Sequence, residues 1–361
     1  MSLKTKYQNL LRRLETNTLE WAGLDIGSGS VKTIRGNWND HRFTATGACL
    51  VELEDRDPQD PQKQDDLTQA IRLCLQKTGL KMPCAVCAHS GPEVVTRHFR
   101  FPPLPEEALA QAIQLEAQQM SPFDPDQSII SYQAVPVSET AAESGREGFL
   151  VVAMREAIEQ KIEWVRAAGG KVLLMDVEGL AALNCLQACL SQTGDKTVGL
   201  IHIGNRFTTV SILGENGIPF IRDLTYAGKN IRAAIRQQTG LSDPEIRKAL
   251  FHTGGLVPDS DALRTALKNA ATRNISDINE TLRYYLTQNP SGELKQLYIT
   301  GGWAMSRPFV ELLAGALPIR VEVFNPFQTL TIEAPPAQES LMKQSGPALA
   351  VAAGLAMRTI R

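Results

Sequence analysis

The residues of this chain best suited to chemistry concentrate in two short glycine turns. In GLDIGSGSVKTI an apolar strand carries Asp25 near its end, turns through Gly27, Ser28, Gly29 and Ser30, and returns with Lys32 on the second strand. Small turn residues let backbone N–H groups approach phosphate oxygens. A strand-end carboxylate can hold the water shell of Mg²⁺, which uses one or two carboxylates and keeps several waters. A lysine adds a point charge. The same string also suits an ordinary β-hairpin, so one copy decides little. A second segment, GLIHIGNRFTTV, repeats the pattern with Gly204 and Asn205 in the turn and Thr208 starting the return strand. The two turn glycines lie 177 positions apart, which predicts two similar α/β halves whose hairpins face each other. A later strand runs into Gly301-Gly302 and a helix, a backbone bare enough for a flat base to slide against.

The elements that must position these turns follow from periodicity. Strands are predicted over 21–27, 30–35, 43–50, 84–88 and 94–101, then 129–135, 149–153 and 172–175, with 198–203, 207–213, 218–224, 297–300 and 320–323 in the second half. Helices are predicted over 67–78, 106–120, 156–168 and 179–191, from Gly228 onward, and over 243–252, 261–286, 308–316 and 347–359. The stretch 52–66, rich in Asp, Gln and Pro, reads as an exposed loop. Residues 1–20 place Tyr7, Leu10, Leu11 and Leu14 at helical spacing among basic residues, a short amphipathic helix that either packs on the protein or meets an anionic membrane surface.

Composition bounds the function. The 361 residues are 43% hydrophobic and 21% charged, with 39 acidic against 37 basic side chains and a net charge of −2, which describes a globular chain of about two domains. This balance argues against non-specific nucleic-acid binding as the main task, which needs clustered basic residues. The longest apolar runs fall far short of the roughly 20 residues of a spanning helix, and the N-terminus lacks a signal-peptide pattern, so a cytoplasmic protein is expected. Cys185 and Cys189, four apart on a helix, read as buried packing. Cys84 and Cys87 form a C-x-x-C string, but in a strand they point to opposite faces about 10 Å apart, which disfavours a shared metal or disulfide.

Taken together, these residues resemble the actin, Hsp70 and hexokinase superfamily and, within it, the PilM family of type IV pilus assembly proteins. The resemblance rests on GLDIGSGSVKTI, IQLEAQQMSPF, REAIEQKIEWVRAAGGKVLLMDVEGLAAL and YAGKNIRAAI, followed by TGGWAMSRPFVELLAGALPIRVEVFNPF and GPALAVAAGLAMR. It implies an actin-like α/β fold, duplicated ribonuclease H-like halves around a nucleotide cleft, with an inserted small α/β subdomain of the kind found in FtsA. On that pattern 1–20 is the N-terminal helix, 21–90 and 171–196 are subdomain 1A, 91–170 is 1C, 197–235 and 295–335 are 2A, 236–294 is 2B, and 336–361 is a C-terminal helix returning to 1A.

The resemblance further implies ATP or ADP with Mg as cofactors. Asp25, Gly27, Ser28, Gly29, Ser30 and Lys32 would form the first phosphate site, with Asp25 meeting the metal through water. Gly204, Asn205 and Thr208 would form the second loop, Gly228 and Lys229 its exit toward the ribose, and Gly301 and Gly302 the adenine contact. Glu178 stands where filament ATPases of this fold place the acid that orients water, or is an acid favoured in a first helical turn. The family's second phosphate strand usually ends Asp-x-Gly, and this chain has His202-Ile203-Gly204. Imidazole is a poor substitute for oxygen around Mg²⁺, so at most a weak ATPase is expected.

The implied role is a cytoplasmic scaffold at the inner face of the inner membrane. Its partner would be the N-terminal cytoplasmic peptide of a PilN-like membrane protein, with an Asn-Leu-Leu-Pro-type motif seated between 1A and 1C. Leu115, Met120, Pro122 and Phe123 line that groove or belong to the core. Contacts with other pilus motor or alignment components belong to the same picture, membrane contact is peripheral, and no nucleic acid is involved. The competing roles are a small-molecule kinase or phosphatase of the same superfamily and an FtsA-like filament former.

Overall fold

The computed structural model describes residues 20–39, 42–54, 60, 62–135, 145–190, 197–215, 217–251, 261–289 and 293–359. The predicted N-terminal helix lies outside them, apart from Glu20.

Five consecutive buried residues, AGLDI, form β1 (Ala22–Ile26), a strand covered on both faces. It pairs antiparallel with β2 (Ser30–Asn39), which pairs antiparallel with β3 (Arg42–Glu52). After α1 (Gln62–Lys77), β4 (Cys84–His89) lies parallel beside β1, and β8 (Lys171–Val177) parallel beside β4. In the second half β9 (Val198–Ile203), β10 (Thr208–Leu213) and β11 (Pro219–Leu224) repeat the meander. The strands β12 (Gln296–Thr300) and β13 (Arg320–Val323) add parallel to β9. The two sheets therefore run 3-2-1-4-8 and 11-10-9-12-13, the same order and the same mix of directions. The repeat read from two turns extends to whole sheets. A two-residue strand, β14 (Thr331–Ile332), extends the first sheet beyond β3 and was not foreseen.

Between β4 and β8 the chain builds a small unit of β5 (Val94–Phe101), α2 (Glu106–Met120), β6 (Ser128–Ala134) and β7 (Arg146–Met154). Its three strands run in the order β5-β7-β6. Leu109, Ile113 and Ala117 of α2 cover Phe99, Leu150 and Val152 on one sheet face, each buried aliphatic side chain contributing about 1.5–3 kcal/mol. The other face packs Phe149 and Val151 against Val177, Ile218 and Ile221. Then α3 (Arg155–Ala167) leads into β8, and α4 (Glu178–Leu190) leaves it. The helices α5 (Gly228–Thr239), α6 (Asp243–Phe251), α7 (Asp261–Gln288) and α8 (Arg307–Ala316) surround the second sheet.

The last helix, α9 (Pro336–Ala356), starts eleven residues before the predicted 347–359 and bends at Ser345. Pro347 has no N–H to give the Lys343 carbonyl, and Asn325 Nδ2 supplies that bond at 3.0 Å. Beyond the bend, small residues let α9 sit against the backbone: a Cβ at Gly354 would meet Ala181 O at 1.8 Å, and one at Gly23 would meet Ala352 O at 2.0 Å.

All six cysteines are free. Cys87 packs with Leu24 and Ile71, and Cys185 with the α4–α9 core, consistent with packing roles. Among the described residues no cluster of three or more His, Cys, Asp or Glu side chains could hold a metal, and no helix is long and apolar enough to cross a membrane.

Candidate functional site

The register of the first hairpin sets Asp25 opposite Lys32, and Lys32 Nζ reaches Asp25 Oδ2 at 2.8 Å with both side chains almost fully buried. Burial pushes the Asp25 carboxyl up, but the Lys32 charge and hydrogen bond outweigh it and hold the group below the usual range. The turn closes through Gly27 N–H donating to Ser30 O at 3.1 Å, and Leu53 N–H donates to Gly29 O. The packing is close here: a Cβ at Gly27 would sit 3.1 Å from Ser30 O, and one at Gly29 3.1 Å from the Asn205 side chain.

The same offset that relates the glycines relates the facing pairs. His202 stands opposite Thr209 in the second hairpin as Asp25 stands opposite Lys32 in the first. His202 is buried with Nδ1 unpartnered, and burial brings its pKa down to about 4, so the ring is neutral at pH 7. Thr209 Oγ1 donates instead to Asp223 Oδ1 at 2.5 Å, and Asp223 Oδ2 accepts from Gly91 N–H at 2.7 Å. That carboxylate ties the second half to the loop following β4, and burial raises its pKa.

The remaining predicted residues converge on the second turn. Gly228 N–H donates to Gly204 O at 3.1 Å and Lys229 N–H to Asn205 O at 2.7 Å, docking the N-terminus of α5 on the turn. A Cβ at Gly228 would meet Trp303 Nε1 at 1.9 Å, and Gly301, at φ 93°, lies against the Ile203 backbone. Gly301 N–H and Thr300 Oγ1 both donate to Pro347 O, at 2.8 and 2.6 Å, anchoring this loop to α9. Gly302 faces open space. Thr208 belongs to the loop by position, but its hydroxyl donates to Tyr226 O at 3.2 Å and accepts from Asn274 Nδ2 at 3.0 Å, so it serves packing behind the turn.

Glu178 opens α4 at the end of β8, half-buried, with its pKa raised to about 7. Burial is the main cause, Asp25 and Asp223 add to it, and Lys161 and a hydrogen bond from Ser90 oppose it. Lys161 is a residue that the sequence reading passed over. It occupies the buried stripe Ile158, Lys161, Val165 of α3 and donates to Ala88 O at 2.7 Å. A lysine on an otherwise apolar helical stripe was the available signal. Beside it, neither ring nitrogen of His89 has a hydrogen-bond partner, Glu93 Oε2 stands 3.8 Å from Nε2, and burial lowers the pKa to about 3.

The four residues named for the partner groove divide. Met120 and Phe123 pack on the small unit's core, whereas Pro122 is exposed and Leu115 is 57% exposed. The helix α2 packs chiefly over β5 and β7. Ile130 and Tyr132 of β6, both exposed, share that sheet face, since they register with Val152 and Leu150. Neither was singled out in the sequence.

The two hairpins thus bring together closely packed glycine turns, a buried ion pair and an imidazole with an unpartnered nitrogen. A family model described as type IV pilus assembly protein PilM matches residues 23–360. Among solved structures, a PilM–PilN type IV pilus biogenesis complex is similar at 22% identity, covering 94% of this chain and 98% of that one, with a TM-score of 0.80. The ethanolamine utilization protein EutJ of Carboxydothermus hydrogenoformans is similar at 13% identity, with 93% and 88% covered and a TM-score of 0.51. A glycerol dehydratase reactivase is similar at 9% identity, with 93% and 99% covered and a TM-score of 0.50. The duplicated sheets and these likenesses make the fold actin-like.

Proposed function

The chain belongs to the PilM family of type IV pilus assembly proteins, and from that premise we propose that it is a nucleotide-responsive scaffold that binds the N-terminal peptide of a PilN-like membrane protein. The observation that carries this reading is the family match over nearly the whole chain, in a fold whose two glycine hairpins meet at their tips. Asp25 would hold Mg²⁺ through water, and Lys32, Gly27, Gly29, Gly204 and Asn205 would cradle the phosphates. Gly228, Lys229, Gly301 and Gly302 would flank the nucleoside. Bound nucleotide would supply differential affinity for the closed cleft, the only quantity by which a ligand shifts such an equilibrium. The neutral His202, in place of a second carboxylate, makes hydrolysis slow on this reading, and Glu178 is the residue that would orient water.

The partner peptide would lie beside the small unit, against the exposed Ile130 and Tyr132 of β6. A peptide so bound would recruit the chain to the inner membrane through its partner. The test is titration of a labelled peptide carrying the Asn-Leu-Leu-Pro motif, with and without Mg-ATP. Saturable binding that changes with nucleotide is expected, and reciprocity requires the peptide to shift ATP affinity by the same factor. No binding at tens of micromolar would sink the scaffold reading.

A further inference from the structure

Lys161 is 7% exposed, and an ammonium taken out of water needs acceptors for three N–H groups and an opposing charge. Among the described residues its hydrogen bond is the one to Ala88 O. The register of the first sheet says where that oxygen is. Leu24 pairs with Cys87 and Ala88 with Asp176, so Ala88 stands between Asp25 and the end of β8, at the carboxyl ends of three adjacent parallel strands. In open α/β sheets, ligands bind in the crevice at that edge.

The neighbours do not supply an anion dedicated to Lys161. Asp25 is held by Lys32 at 2.8 Å, and burial keeps both His89 and His202 neutral. The other acids around this corner are Glu178, whose pKa near 7 leaves it about half protonated at neutral pH, Asp223, which is held by Thr209 and Gly91 N–H, and Glu93, 3.8 Å from His89 Nε2. Among the described residues no carboxylate hydrogen-bonds Lys161, which sits buried beside Asp25, while Gly228 and Gly301 form a glycine end at the second turn. A nucleotide with its base at that glycine end and its phosphates between the hairpins would direct its last phosphate here.

We infer that Lys161 is a binding residue for the terminal phosphate of a nucleoside triphosphate and that it makes the cleft prefer triphosphate to diphosphate. This rests on the nucleotide reading above. Lys161→Gln keeps a donor for Ala88 O while removing the charge, and Lys161→Arg keeps the charge.

The experiment is calorimetric titration of wild type and both variants with Mg-ATP and Mg-ADP, with folding checked by circular dichroism. The Gln variant is expected to lose about 10- to 100-fold in ATP affinity and under about 3-fold for ADP, the size of one charged hydrogen bond. The Arg variant is expected to retain a preference for ATP. An unchanged ATP-to-ADP ratio in folded Lys161→Gln overturns the inference while leaving the nucleotide reading intact. Wild type that binds neither nucleotide overturns both. If the Gln variant does not fold, Lys161→Met, which keeps the length without the charge, decides: loss of the ATP preference in a folded Met variant, with ADP still bound, supports the assignment, and retention counts against it.

Discussion

Asn205 Nδ2 donates to Ser28 Oγ at 3.1 Å, so the two hairpin tips touch across the cleft through residues 177 apart. That contact belongs to a ring. Asn205 Oδ1 accepts from Arg232 Nη2 at 2.8 Å, Arg232 Nε and Arg247 Nε share the Asp243 carboxylate at 3.0 Å each, and Arg247 reaches Glu52 at 3.5 Å. Glu52 in turn pairs with Ser30 in the β2–β3 ladder, returning the ring to the first hairpin. The ring crosses between the halves twice, at Ser28–Asn205 and at Arg247–Glu52.

Asn205→Ala removes two bonds of this ring and deprives the buried Arg232 of one acceptor. A loss of about 1–2 kcal/mol is expected, because a hydrogen bond to a buried charge counts for more than one at the surface. Thermal unfolding reads it, and Glu52→Ala, which removes only an exposed pair, is expected to cost under about 1 kcal/mol. Equal effects from the two would show that Arg232 does not depend on Asn205.

Asp25→Ala leaves the Lys32 ammonium buried without its carboxylate. A destabilisation of about 3–5 kcal/mol is expected, the range for breaking a buried pair from one side. The double variant Asp25→Leu with Lys32→Met is expected to recover most of it, since an apolar pair leaves no orphaned charge, while Mg-ATP binding stays lost. Stability that tracks the single variant in the double would show that the pair has a role beyond charge compensation.

Which parts of this architecture were readable without coordinates follows from how local each determinant is. Hairpins and α2 are local, written in turn residues and apolar spacing, and the Glu106–Met120 bounds agree to the residue. The internal offset was visible because both turns carry small residues. The first half of α9 was not, since Gly346-Pro347 reads as a break until Asn325 is seen to supply the missing donor. Lys161 was hidden because only tertiary packing turns a helical position into a buried one. Thr208 has the right residue type for a phosphate loop, but Asn274, 66 positions away, claims its hydroxyl. Ile130 and Tyr132 look like ordinary strand residues until α2 is seen to pack chiefly on β5 and β7, with both side chains left exposed.

Glu178 gives the chain a pH signature near neutrality. Its pKa is raised from the usual 4.5 to about 7 in the folded protein, so the unfolded chain releases this proton first. Its contribution to stability is present in full below pH 4.5 and is lost as pH rises through 7, with a slope of at most about 1.4 kcal/mol per pH unit. Glu178→Gln is expected to remove that slope and to be the more stable form at pH 8. His202, lowered to about 4, acts in the opposite sense: its contribution is present above 6.5 and lost as pH falls through 4. Denaturant melts at pH 5, 6, 7 and 8 separate the two, and a Gln variant with the wild-type pH profile would place Glu178 in water.

Asn325 holds two helix ends at once. Its Oδ1 accepts from Phe327 N–H at 3.0 Å, capping the turn Pro326–Gln328, while Nδ2 donates to the Lys343 carbonyl that Pro347 leaves unserved. A Cβ at Gly346 would lie 1.8 Å from Asn325 Oδ1, so the Asn-Pro-Phe and Gly-Pro strings are two parts of one joint. That joint sets the position of Pro347 O, which receives Gly301 N–H and Thr300 Oγ1. Asn325→Ala is therefore expected to cost about 1–2 kcal/mol through the lost cap and the unserved carbonyl. It is also expected to loosen Gly301 and weaken nucleotide binding, whereas Asn325→Asp keeps the cap and loses the second bond. Hydrogen exchange at Gly301 reads the coupling directly. Faster exchange in both variants is the expected result, and exchange unchanged from wild type would mean that the glycine loop holds its conformation without α9.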